Sequence, residues 1–477
     1  MAIVTGARSM VGTPLALALV SALVASCTSD QATAPVVDGS LMTSSHRPAP
    51  ALHDSGACEP AQAGFSCSTL TVPLDHADPT GPGLDLHVAV QDEPSAPRPV
   101  LLFLTGGPGQ PGVSYAAKTA RMMAPVLTRY RVVMIDQRGT GGTALNCPGL
   151  QQQMAETDLI PPTQAAVEEC SSILGDTRGD YSTAQTVQDL DWLRRALGVR
   201  TLAIDGISYG TYVAENYAMT FPHHVDHLVL DSVVPHVITP AGSMQLASFR
   251  AVRRVLPMVC KEQRCTTDPV ADLAWLVRHR GDGPELLDLL AITSIIRPDL
   301  SFLPAMLHQA RVGNDRELEG WLQGIASDVV PTDQFSQGLH AAALCADQNE
   351  PWGGPDTPLA TREATLDRLN SQLTPAQTYP FDTHTATSNG FVQVCRWWGP
   401  IKPPPEPRQR DLPPVPTLFL VGDHDLCTPL EWAQHEVDRA PGGQLLLVKG
   451  AGHSIQPRGD EFPGTMETVF SFLRHGG

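Results

Sequence analysis

An α/β fold with a mostly parallel central sheet, interrupted by a long helical insertion, is predicted by three features of this 477-residue chain. Short apolar runs rich in Val, Leu and Ile recur between turn residues with little alternation, as strands buried on both faces do. Helical stretches separate these runs, the signature of a parallel sheet. The strand pattern then stops near residue 235 and resumes near residue 415, with helices broken by Pro and Gly in between.

The elements follow in order. Residues 11–25 are apolar, preceded by Arg8, and shorter than the ~20 residues that span a bilayer. That is signal-peptide anatomy. The run ends in Val24-Ala25-Ser26-Cys27, which resembles a bacterial lipobox, so residues 1–27 are read as a signal peptide with Cys27 as the lipidation site. An ordinary cleaved signal peptide is the alternative. Residues 28–53, rich in Thr, Ala, Ser, Pro and Asp, read as a tether.

A first body segment, 54–234, holds strands at 84–90, 100–105, 131–135, 201–205 and 227–230, with helices at 186–197 and 209–220. The insertion, 235–414, carries helices at 244–259, 272–280, 284–296 and 316–325. The second body segment, 415–477, returns with strands at 415–421 and 444–448. No internal repeat is visible.

The net charge is −18 and only four residues are Lys, which argues against nucleic acid and anionic membrane surfaces as partners. Ten cysteines in an exported chain suggest disulfides. Apart from Cys27, sequence neighbours pair as Cys58–Cys67, Cys147–Cys170, Cys260–Cys265 and Cys345–Cys395, leaving Cys427 over; the pairing is a hypothesis from locality. Zinc-finger spacing is absent, and no metal or cofactor is implied.

Gly206-Ile207-Ser208-Tyr209-Gly210 fits Gly-x-Ser-x-Gly, the sharp strand-to-helix turn that exposes a nucleophilic serine above a sheet. A predicted strand precedes it and a helix ending at Phe221-Pro222 follows. Such a serine needs a base, and the base an orienting carboxylate, in the chain order Ser, acid, His. Asp425 stands after the strand 415–421; Asp423 is its competitor. Thr428-Pro429-Leu430-Glu431 reads as a capping box that starts the next helix and leaves Asp425 in the loop. His453 follows the strand 444–448 among small residues. Thr105-Gly106-Gly107-Pro108-Gly109 follows the strand 100–105, where an oxyanion donor belongs. The donors are assigned to Gly107 and Tyr209. Two further patterns are set aside: Asn146, Cys147 and Pro148 break the helix a dinucleotide site at 139–144 would need, and His223, His224 and His227 read as surface histidines.

With these residues in place, the chain resembles the secreted tripeptidyl/prolyl aminopeptidase branch of the α/β-hydrolase superfamily, serine peptidases of actinobacterial type. The resemblance runs from about Cys58 to the C-terminus, through segments 71–76, 106–109, 136–141, 206–211, 229–231, 422–429 and 452–453. It implies an α/β-hydrolase fold, a Ser208–Asp425–His453 triad and a helical lid inserted between the nucleophile and acid segments. The Cys345 and Cys395 segments look like that family's lid disulfide. Thr105 departs from the His that proline iminopeptidases usually carry there, and Cys427 beside the acid is unusual.

The expected activity is release of residues or short peptides from free N-termini through an acyl-enzyme. Acidic lid groups must then hold the substrate ammonium, and Asp347 and Glu350 are the candidates. A carboxylesterase or lactonase on the same triad, acting on a small ester rather than a peptide, is the alternative. A non-catalytic ligand-binding lipoprotein is the third reading. Membrane association is expected only through the N-terminal lipid.

Overall fold

The computed structural model describes residues 3–5, 49–92, 98–407 and 411–476. The lipobox, Cys27 and all but three of the leader residues lie outside the described residues. Ten strands form one sheet: β1 (Ile3–Thr5), β2 (Leu52–Ala57), β3 (Phe65–Pro73), β4 (Gly83–Gln91), β5 (Val100–Leu104), β6 (Arg131–Ile135), β7 (Leu202–Ile207), β8 (Val225–Asp231), β9 (Thr417–Gly422) and β10 (Gly443–Val448). Their spatial order is β1-β10-β9-β8-β7-β5-β6-β4-β3-β2. From β10 to β6 neighbouring strands are parallel; the pairs beyond them at either edge are antiparallel.

The central strands lack alternation because both faces are covered. On β5, Leu102 and Leu104 pack with Val213 and Tyr217 of the helix Tyr209–Thr220. Leu101 and Phe103 point the other way, into a cluster with Val469 and Phe472 of the C-terminal helix Thr465–His475. All seven strands expected from the sequence are present.

Three described strands were not expected: β1, which falls within the expected leader and pairs with β10, and β2 and β3. β3 buries Ser68, Leu70 and Val72 and leaves Thr69 and Thr71 more open, so its apolar signal is halved. β2, an edge strand of sequence Leu-His-Asp-Ser-Gly-Ala, is mostly exposed and draws its order from pairing with β3. It begins at Leu52, so two residues expected in the tether belong to the sheet.

Between β8 and β9 the chain is helical. Phe249 and Val252 of helix Leu246–Glu262, Leu273 of Pro269–Arg280, Leu286 and Leu290 of Gly283–Ile296, and Leu303 of Leu303–Arg311 share a hydrophobic cluster apart from the two sheet-face clusters. The ring centroids of Phe249 and Phe381 lie 4.7 Å apart inside it. Further helices, Arg316–Ser327, Gln337–Asp347, Leu359–Gln372 and Gly390–Trp397, complete the insertion.

Four disulfides link Cys58–Cys67, Cys147–Cys170, Cys260–Cys265 and Cys345–Cys395, and Cys427 is free. An oxidising, extracytoplasmic compartment sustains such bonds. Cys345–Cys395 ties the helix Gln337–Asp347 to Gly390–Trp397 across 50 residues. In the chain-entropy view a loop of that length destabilises the unfolded state by about 4 kcal/mol. No helix of the described residues is long and apolar enough to cross a membrane.

Candidate active site

In sheet order β5 lies between β6 and β7, so the chain turns outward in opposite directions from that point. Crevices for ligands form there, outside the carboxyl ends of the strands. Gly106 and Gly107 follow β5, Ser208 follows β7, Asp425 follows β9 and His453 follows β10.

Ser208 is the residue between β7 and helix Tyr209–Thr220, at φ 56° and ψ −126°. A left-handed φ is costly for a residue with a side chain, and the surroundings hold it. A Cβ on Gly206 would lie 2.4 Å from the Gly210 carbonyl oxygen, and one on Gly210 would lie 2.5 Å from that of Leu104. Only glycine at both positions lets the turn close this tightly. The β5 loop comes as near: a Cβ on Gly106 would lie 3.0 Å from Ser208 Cβ. Tyr209 opens its helix, so its N–H has no intrahelical acceptor and is free to serve as a donor. Gly107, Ser208 and Tyr209 all line one small pocket of about 60 Å³.

Asp425 is fully buried and collects four donors. Oδ1 accepts the N–H groups of Cys427 (2.9 Å) and Thr428 (2.8 Å). Oδ2 accepts the Thr428 hydroxyl at 2.7 Å and lies 3.0 Å from His453 Nδ1. Asp423 instead accepts the Gly450 N–H at 2.7 Å, fixing the turn after β10. The expected capping box does not form. Pro429 is the N-cap of helix Leu430–Val437, the Thr428 hydroxyl serves the buried carboxylate, and Glu431 pairs with Arg254. A bond to an ionised acceptor outcompetes a neutral cap.

The His453 loop is held at several points. The backbone N–H of His453 donates to the Ser294 carbonyl at 2.9 Å, and Ser294 Oγ accepts the Leu426 N–H at 3.2 Å. Asp231, at the end of β8, accepts the N–H groups of Ile455 (3.1 Å) and Gln456 (2.8 Å). Ser208 and His453 line the same large cavity, of about 1340 Å³. No hydrogen bond joins them among the described residues, as is common where catalytic contacts tighten only with substrate.

Burial works to lower the His453 pKa, but the carboxylates of Asp425, Asp231 and Asp158 outweigh it and the net shift is upward. Accepting a serine proton requires neutral imidazole, so the group must be deprotonated to act. With an ester substrate, the acid limb of kcat/KM is therefore expected above about pH 6.5, the ordinary histidine value. Asp158→Asn should move that limb down; a limb at or below the ordinary value in the native protein would show that the carboxylates do not govern His453.

The cavity has an apolar wall from the insertion, formed by Ile292, Ile295, Trp321 and Ile325 with Phe335. Asp347 and Glu350 line neither cavity. Asp347 accepts the Thr183 N–H at 3.0 Å, and Glu350 is 2% exposed. Two other carboxylates, Asp158 and Asp288, line the small pocket beside Ser208, whereas Glu156, Glu317, Asp328, Asp460 and Glu467 line only the large cavity. Asp158 lines both cavities and sits 3.4 Å from His340 Nε2. Asp288 lines the small pocket; its Oδ1 accepts the Leu159 N–H at 3.0 Å, while buried Oδ2 has no partner among the described residues. Burial pushes Asp288 up to about 8, and the Leu159 N–H only partly offsets it. Asp288 left a trace in the sequence, as the lone acid among the apolar residues of 286–292; Asp158 left none. Cys427 also lines both cavities, and burial raises its thiol well above the usual range.

A family profile described as alpha/beta hydrolase fold matches residues 99–460. Among curated proteins, a tripeptidyl aminopeptidase of Streptomyces lividans is 31% identical over 190 residues, 36% of this chain and 35% of that one. This chain thus spans about a third of that relative's length. Serine protease Hip1 of Mycobacterium tuberculosis is 24% identical over 449 residues, covering 83% of each chain. Among solved structures, a thermophilic esterase from Thermogutta terrifontis aligns over 85% of this chain and 98% of its own, at 14% identity and a TM-score of 0.39.

Proposed function

Because this chain belongs to the alpha/beta hydrolase fold family and is similar to serine peptidases, we propose that it is a serine aminopeptidase acting through Ser208, His453 and Asp425. Ser208 attacks the scissile carbonyl and His453 takes its proton. Asp425 fixes the imidazole tautomer and stabilises the imidazolium. The N–H groups of Gly107 and Tyr209 receive the oxyanion. His453 then returns the proton to the leaving amine, and water repeats the sequence on the acyl-enzyme.

The observation that carries the peptidase reading is the pair Asp158 and Asp288 in the pocket that also holds Ser208. A buried carboxyl oxygen without a partner is costly unless a ligand supplies one. A substrate ammonium does so, donating to both acids and drawing Asp288 into its ionised form. The open apolar cavity beyond receives the rest of the peptide. Asp158 and Asp288 thus take the role expected of Asp347 and Glu350.

A panel of chromogenic substrates tests this: prolyl, alanyl and tripeptidyl anilides, their N-acetyl forms, and short-chain esters. Free-amine anilides should be cleaved and their acetyl forms should lose at least tenfold. Asp158→Asn should raise KM roughly 10–100-fold for the free amines, the worth of a charged hydrogen bond, and leave KM for esters unchanged. Turnover of esters alone would favour the carboxylesterase reading. Export with a lipid on Cys27 belongs to the same proposal and rests on residues 11–27; the mass of the mature N-terminus decides it, and an unmodified start elsewhere rejects the anchor.

A further inference from the structure

Seven residues beyond Ser208, on the same helix, Glu215 is wholly buried and faces a histidine and a second glutamate. His236 comes from the segment after β8, and Glu436 from helix Leu430–Val437, which follows the Asp425 loop. All three are buried, with 7% exposure at most. One donor atom from each lies within 4.8 Å of the other two. His236 Nδ1 is 2.5 Å from Glu436 Oε2 and 4.0 Å from Glu215 Oε2. Both Glu215 oxygens and Glu436 Oε1 lack a hydrogen-bond partner among the described residues. None of the three lines either cavity, so the chemistry above leaves them unexplained.

Charge makes the cluster informative. Two carboxylates against one imidazolium leave a buried negative charge, and against neutral imidazole they leave two. A buried charge without a counterpart is strongly unfavourable. A divalent cation neutralises two carboxylates and a neutral imidazole completely.

We propose that Glu215, His236 and Glu436 form a buried divalent-cation site whose fitting occupant is zinc. One nitrogen and two carboxylate donors suit zinc, whereas calcium and magnesium favour all-oxygen shells and magnesium keeps several waters. Zinc–ligand bonds of about 2.0–2.2 Å put tetrahedral donors roughly 3.3 Å apart. The 2.5 Å contact must therefore open, and the 4.0 Å contact close, by less than about 1 Å each. The free glutamate oxygens can supply the fourth bond. Such an ion joins the helix behind the nucleophile, the segment after β8 and the helix behind the acid loop. It is a brace for the spacing of Ser208 and Asp425, with no part in proton transfer, and it stands whether or not the peptidase reading holds.

The test is the metal content of the full chain, expressed with added zinc and purified without chelator or histidine tag. Elemental analysis should find close to one zinc per chain. Glu215→Gln and Glu436→Gln should each reduce this at least tenfold while the protein still folds and Ser208 still reacts with a fluorophosphonate. Because the site is closed, the native protein is also unfolded with its disulfides intact, stripped with EDTA, and refolded with cobalt. Visible ligand-field absorption without thiolate charge transfer is expected, which separates this site from Cys427. Absence of stoichiometric metal from both preparations of well-folded native protein overturns the proposal and leaves a proton shared among the three groups. That result is decisive even if the glutamine variants do not fold.

Discussion

Ser208→Ala is expected to leave a folded protein whose turnover falls by about 10⁴–10⁶-fold, the loss seen when one triad member of a serine protease is removed. The substitution deletes only the hydroxyl, so no acyl-enzyme can form. Alanine keeps the Cβ that makes φ 56° costly, so the strain of the turn is retained and the backbone is left as it was. Thermal stability should therefore be essentially unchanged while labelling by a fluorophosphonate disappears. Full turnover in the alanine variant would sink the serine-hydrolase mechanism outright.

Asp425→Asn should cost on the order of 10⁴-fold in kcat, because an amide in that place favours the wrong imidazole tautomer and cannot stabilise the imidazolium. The effect is expected to be specific to this carboxylate. Asp423 bonds the Gly450 N–H rather than His453, so Asp423→Asn should cost far less. Thr428→Val removes one hydroxyl donor from Asp425 and should fall between the two, at roughly 10–100-fold. Measuring kcat on one anilide with all three folded variants orders them. If Asp423→Asn proves the most damaging, the acid is misassigned.

What could be read in advance followed from local rules. Continuous apolar runs mark β5 to β9 because those strands are covered on both faces, β10 keeps such a run with one face half-buried, and the glycines around Ser208 mark a turn whose backbone approaches exclude any Cβ. Asp425 and His453 follow from chain order at strand ends. β2 and β3 escaped notice because an edge hairpin with one wet face carries half the apolar signal. Thr428 was misread for a different reason: its spacing to Glu431 fits a helix cap, but tertiary structure offers it a buried carboxylate instead. Asp158 and Asp288 are 130 positions apart and meet only because helix Gly283–Ile296 packs over the loop before helix Gln164–Leu174. No periodicity encodes such a meeting, which is why the sequence offered only Asp347 and Glu350, the acids that follow Cys345.

Ser294 gives the covering helices unequal freedom. Its carbonyl and hydroxyl receive the backbone N–H groups of His453 and Leu426, so helix Gly283–Ile296 is stitched to both loops that hold Asp425 and His453. Swinging that helix away would unmake the site it covers. It is a fixed roof beam, and the doorway lies elsewhere. Helix Arg316–Ser327 buries only Leu318, yet lends Trp321 and Ile325 to the cavity wall. Few buried contacts mean a low cost of local opening. Local opening is therefore expected first on the Arg316–Ser327 side, whose amides should exchange with solvent far sooner than those of Leu426 and His453.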